Sequence, residues 1–166
     1  MEINLNTLTE DKKHNPANLL EGISKDETFA GLMVRAEKLL KSFAIVEIEL
    51  PRIEETLRRM ISECRNAQYN YYSPESLEKT KRLAIPMQNC QSLLKYIRCF
   101  SQTLRGGKPL LIGTAIISAG VLKGKVEKMI QDVGPEGIDI RALEEAHQIM
   151  EDGLDGVPDY QLQMSN

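Results

Sequence analysis

The chain has 166 residues, a formal net charge of −3 and 42% hydrophobic residues, with only 5% aromatics and no Trp. That length suits one domain, and a palette of Leu, Ile, Val, Met and Ala favours a helical core over a β-sandwich. With 11 Gly and 7 Pro the chain is neither collagen-like nor wholly disordered, and no stretch reaches the roughly 18 consecutive apolar residues of a spanning helix.

Residues 1–23 mix polar types without a period, punctuated by Asn15-Pro16, and are expected to form a flexible tail. Glu2 stands where a signal peptide carries Lys or Arg, and no apolar block follows it, so the expected compartment is the cytoplasm. Ser24 and Glu27 have the S-x-x-E spacing of a capping box, which predicts that a helix starts there and opens a helical domain over 24–154. From that point Phe29, Leu32, Ala36, Leu39, Phe43, Val46, Leu50, Ile53, Leu57, Met60 and Cys64 step alternately by three and four. Such a register predicts one long helix with a coiled-coil-like seam. Residues 45–50 alternate as a strand would, but the helical register continues on both sides of them. Pro51 is expected to kink the helix by removing a backbone hydrogen bond near Glu47.

Ser73-Pro74-Glu75 supplies a cap hydroxyl, a proline at the first helical position and an acid in the first turn, which predicts a second helix reaching about Leu104. Its expected seam is Leu83, Met87, Cys90, Leu94, Ile97, Ser101 and Leu104. A fold-back about residue 68.5 would place Pro51 opposite Pro86, giving a long kinked antiparallel helical hairpin whose tip, 57–80, projects. Gly106-Gly107 ends that helix. The following stretch, 110–133, is apolar on nearly every side as far as Leu122, and Gly134-Pro135 breaks it. A last helix from Asp139 puts Ile140, Leu143, His147, Met150 and Leu154 on one stripe. These two shorter helices are expected to pack at the base of the hairpin in an all-α fold, followed by an acidic tail over 155–166.

Charge is segregated along the chain. Residues 79–128 hold ten basic side chains and one acid, Glu127, for +9, whereas the remainder holds 11 basic and 23 acidic side chains, for −12. The segregation predicts either an acidic helix paired with a basic one inside the fold, or a surface for anionic lipid or phosphate backbones. Arg105, Lys108, Lys123, Lys125 and Lys128 bracket the apolar block and are the candidates for anionic-surface contact.

Catalytic and metal motifs are absent or broken. Residues 119–126 read A-x-x-x-x-G-K-V, which lacks both the first glycine and the hydroxyl of a phosphate-binding loop. The acids from Asp152 to Asp159 lack calcium-loop spacing, and adjacent pairs such as Glu54-Glu55 diverge by about 100° on a helix. His147, alone on an apolar stripe, has no identifiable nucleophile partner. Cys64, Cys90 and Cys99 form an odd set without C-x-x-C, which fits reduced thiols in a cytoplasmic protein. No enzyme activity, cofactor or metal is therefore expected.

Two features point to protein partners. Phe29 and Leu32, with Met33, Val34, Leu40, Phe43, Ile45 and Ile48, make the first helix too widely apolar for one two-stranded seam. Self-association, with a dimer favoured, is expected through Phe29, Leu32, Met33, Leu40, Phe43 and Ile48. Tyr69, Tyr71 and Tyr72 fall in the connection between the long helices, where aromatic rings with polar handles serve as partner anchors. The expected function is a non-enzymatic protein interaction and self-assembly module, a scaffold or adaptor. Alternatives are peripheral membrane association through the helix 109–128 and nonspecific nucleic-acid binding by the basic segment 79–128.

Overall fold

The computed structural model describes residues 28–70 and 73–157, whose regular elements are all helical, with no strand among them. Helix α1 spans Phe29–Asn70, α2 Pro74–Arg105, α3 Pro109–Val133 and α4 Arg141–Gly153, with a 3-10 turn at Gly134–Glu136. The expected start at Ser24 and Glu27 lies outside the described residues. The visible cap is Thr28, whose Oγ1 accepts from Gly31 N at 3.0 Å. Ser73 caps α2 as its sequence predicts, accepting from Ser76 N at 3.3 Å ahead of Pro74 at the first helical position.

α1 and α2 continue through Pro51 and Pro86. The strand-like alternation at 45–50 is overridden because the helical register buries Val46 and Leu50 together on the core side. Every seam position of α1 from Leu32 to Leu57 is buried, and Ile61 extends the seam by one turn. Phe29, at the open end, is exposed. On α2 the buried line is Leu83, Pro86, Cys90, Leu93, Ile97, Ser101 and Leu104, so Pro86 and Leu93 replace the expected Met87 and Leu94, which are half-buried. α2 meets both α1 and α3, and two neighbours turn its most buried line away from the seam that a lone pair of helices would choose.

Two expectations of placement are corrected. Gln91 Nε2 donates to Glu54 Oε1 at 2.8 Å, whereas a fold-back about residue 68.5 would set Glu54 opposite Leu83. α1 itself runs on to Asn70, past the expected fold-back point. The core also reaches further than expected, because Leu57, Ile61 and Leu83 belong to the same buried cluster as Phe43. Among the described residues no side chain from 62 to 67 or from 73 to 82 is buried.

α3 packs on α2 and α4 packs on α1, and the two shorter helices also meet each other. Cys90 Sγ lies 4.0 Å from Met129 Sδ between α2 and α3. Arg52 Nη2 donates to Asp139 O at 2.6 Å at one end of α4, and Arg35 Nη1 donates to Gly153 O at 3.0 Å at the other. Gly153 permits that approach: a Cβ there would stand 3.3 Å from Lys38 Cβ and 3.5 Å from Leu39. Gly107 (φ 74) and Gly137 (φ 84) supply the left-handed backbone of the two turns flanking α3.

Candidate interaction surface

Six residues of α1 were expected to meet a second copy, and the fold divides them. Leu32 and Phe43 are buried inside the protomer and present nothing to a partner. Phe29 and Ile48 are exposed, Ile48 to 72% of its surface, while Met33 and Leu40 are half-buried. With 3.6 residues per turn, these four share an arc of about 100° with Ala44 and Pro51, both exposed. The outer face of α1 thus carries an apolar stripe, interrupted at Glu37 and edged by half-buried Glu47, beside the seam that feeds the core. Glu37, Lys41, Glu55 and Arg59 flank its central part, are exposed, and make no ion pair among the described residues. Arg52 and Arg58 are different: they pair with Glu49 at 2.8 Å and Glu54 at 2.7 Å on their own helix. Hydrogen bonds from Arg58 and Gln91 hold the Glu54 carboxyl below its ordinary range against partial desolvation.

A second surface lies between α2 and α3. Ile85, Asn89, Ser92 and Tyr96 recur at four, three and four residues along α2, with Ile85 59% and Tyr96 51% exposed. Asn89, Ser92, Tyr96, Lys125 and Lys128 line a groove of about 270 Å³ floored by Leu93 and Met129. Lys125 Nζ stands 5.7 Å from the centre of the Tyr96 ring, a cation–π distance. A neighbouring depression shares Lys128 and runs past Ile85 to Arg82 and Glu136. Arg82 and Glu136 form a two-pronged ion pair, 2.6 and 3.1 Å, which holds the Glu136 carboxyl low and ties the 3-10 turn to α2.

The charge segregation is also a segregation by helix. α2, the turn after it and α3 carry ten basic side chains against four acidic ones, whereas α4 carries one against four. The expected ion pairing of an acidic helix with a basic one is not how this charge is used. Within 79–128 only Arg82, with Glu136, and Lys128, with Asp132 at 3.4 Å, enter ion pairs with carboxylates among the described residues. Arg105, Lys108, Lys125 and Lys128 are exposed and Lys123 is half-buried.

α3 meets the length and composition of a spanning helix over Pro109–Glu136, with a mean hydropathy of 1.4 in its most apolar window. Its apolar side chains are largely occupied, however: Ile112, Ile116, Ile117 and Leu122 are buried among the other helices, and Leu111 is exposed. Gly120 of α3 is not closely packed: an added Cβ there would meet nothing within 4 Å. His147 sits between α3 and α4, with Nε2 3.9 Å from Glu127 and Nδ1 4.0 Å from Glu151. Its buried Nε2 has no hydrogen-bond partner among the described residues. Leu143, Ala146 and Met150 form the buried stripe of α4, with His147 at its margin. Burial pushes the Cys90 thiol up to about 12, while Cys99 is exposed. Among the described residues no three His, Cys, Asp or Glu side chains are grouped to hold a metal ion. Tyr69 falls in the last turn of α1, and Tyr71 and Tyr72 lie outside the described residues.

Sequence reasoning missed Ala44, Pro51, Ile85 and Tyr96. Pro51 was read only as a kink, and Ala44 is too small to register in an apolar pattern. Ile85 and Tyr96 carry a signal that could have been found: with Asn89 and Ser92 they follow helical spacing on a line offset from the core seam. Comparison of the chain with protein-family models, with curated proteins and with solved structures finds no match.

Proposed function

We propose that the protein is a non-enzymatic interaction and self-assembly module of the cytoplasm, built as a long antiparallel hairpin of α1 and α2 closed by α3 and α4. The apolar stripe on the outer face of α1 supports this reading: Phe29, Met33, Leu40, Ala44, Ile48 and Pro51 share one arc, and Ile48 is 72% exposed after the core is complete. Large apolar side chains left exposed along one helix face offer a surface for contact with another molecule. A dimer is the expected state, and residues 69–72 are retained as a contact for a protein partner on sequence grounds. Sedimentation velocity at tens of micromolar, about the range in which weak dimers form, tests the proposal. The wild type is expected as a dimer and Ile48→Asp as a monomer with an unchanged helical spectrum. A monomeric wild type would overturn it.

A second reading, nonspecific binding of a nucleic-acid backbone along α2 and α3, is favoured by the basic side chains there that carry no ion pair and by Tyr96 exposed beneath Lys125. A steep fall in oligonucleotide affinity with salt, lessened in Lys125→Ala, is its expected signature.

A further inference from the structure

The charges beside the α1 stripe have a symmetry of their own. Take Ile48 as a centre and count outward along the helix: Lys41 lies seven residues before it and Glu55 seven after, Glu37 eleven before and Arg59 eleven after. All five are exposed. On a straight helix Glu37, Lys41, Ile48, Glu55 and Arg59 fall within roughly 40° of one another, so they form a single line. Opposite charges therefore stand at equal distances, about 10 and 16 Å, on either side of the most exposed large apolar side chain of α1.

Resting on the self-assembly reading above, we propose that two copies pair α1 against α1, antiparallel, about a two-fold axis passing through Ile48. The pairing is isologous, so each contact occurs twice. Ile48 meets Ile48 of the second copy, Lys41 meets its Glu55, and Glu37 meets its Arg59. A parallel pairing would set each of these charges against its own like, which is unfavourable. The line faces solvent because the neighbours of α1 lie to its two sides: Glu54 reaches Gln91 of α2, Arg35 reaches Gly153 of α4, and Arg52 reaches Asp139 just ahead of α4. Within the protomer Glu37 and Lys41, and likewise Glu55 and Arg59, have the spacing of intrahelical pairs. None of the four comes within ion-pair distance of an opposite charge among the described residues. Ala44 and Pro51 lend small, uncharged surface on either side of the axis, where two helices must approach to about 8–10 Å.

Charge reversal tests the register, because it can break the contact and then restore it without touching the core. Lys41→Glu alone creates two like-charge contacts across the axis, and so does Glu55→Lys alone. An equimolar mixture of the two variants makes both contacts attractive again, as does the double variant Lys41→Glu/Glu55→Lys. In sedimentation velocity on the full chain at low salt, each single variant is expected to shift at least tenfold toward monomer. The mixture and the double variant are expected to return to the dimer, and unchanged helical spectra confirm that the fold is intact. Single variants that stay dimeric, or a mixture and double variant that stay monomeric, would overturn the register. If Ile48→Asp dissociates the dimer while the reversals do nothing, self-assembly through α1 stands and the two-fold pairing falls. A monomeric wild type removes both.

Discussion

Leu57 and Phe43 lie fourteen residues apart on α1, and both side chains are completely buried in one cluster. Truncating Leu57 to Ala removes three carbon atoms from the interior, about 2.4 kcal/mol at roughly 0.8 kcal/mol for each buried methylene. The cavity left behind adds to this, so Leu57→Ala is expected to cost about 3 kcal/mol, within the roughly 2–5 kcal/mol span of such substitutions. Phe43→Ala should cost about 3–5 kcal/mol by the same logic. Leu77→Ala, in the stretch of α2 from 74 to 82 where no side chain is buried, should cost under about 1 kcal/mol. Urea melts followed by far-ultraviolet circular dichroism would report the three values, with a constant m-value as the sign that one cooperative unit is being measured. A loss below about 1 kcal/mol at Leu57, against a full loss at Phe43, would show that the packed core ends before residue 57 and would refute the continuity of the cluster.

Gly120→Ala should raise stability by about 0.5–1 kcal/mol, since the added Cβ meets nothing within 4 Å and the site is inside a helix; a lower melting temperature would contradict this. Glu136→Gln should destabilise at neutral pH and cease to matter in acid. Because Arg82 holds the folded carboxyl below its ordinary 4.5, that contribution is present above pH 4.5 and is lost as pH falls through the lowered value. Melting temperatures of the two proteins should therefore converge below pH 4.5, and a constant gap would refute the ion pair as the cause. Cys90, buried with its thiol pushed up to about 12, should be the last of the three cysteines to react with a thiol reagent at pH 8, while exposed Cys99 should react readily; mass spectrometry of timed reactions would check the order.

Helical periodicity is local, so it was legible. The three-and-four register from Leu32 to Leu57, the Ser73-Pro74 start, the glycine breaks and the helix over 110–133 all follow from steric and capping rules acting within a few residues. Which residues of a broadly apolar helix become surface is a different matter, because it depends on what packs beside them. Phe43 and Ile48 are both large and apolar and five residues apart, yet one is buried and the other lies in the open. The difference arises because α2 and α4 cover the two flanks of α1 and leave the face between them bare. The same cause moved the buried line of α2 from Met87 and Leu94 to Pro86 and Leu93, since α3 approaches from a side that a two-helix pattern does not anticipate. Charge was legible as an imbalance along the chain, but its use was not. Sequence spacing cannot say whether a lysine meets a carboxylate across the core or faces water, and here the packing order sets most of the basic side chains of α2 and α3 outward. The line through Glu37, Lys41, Ile48, Glu55 and Arg59 was present in the sequence throughout. Only the arrangement of the neighbouring helices marks it as a face, because it leaves these residues exposed with no cross-helix partner for the four charges.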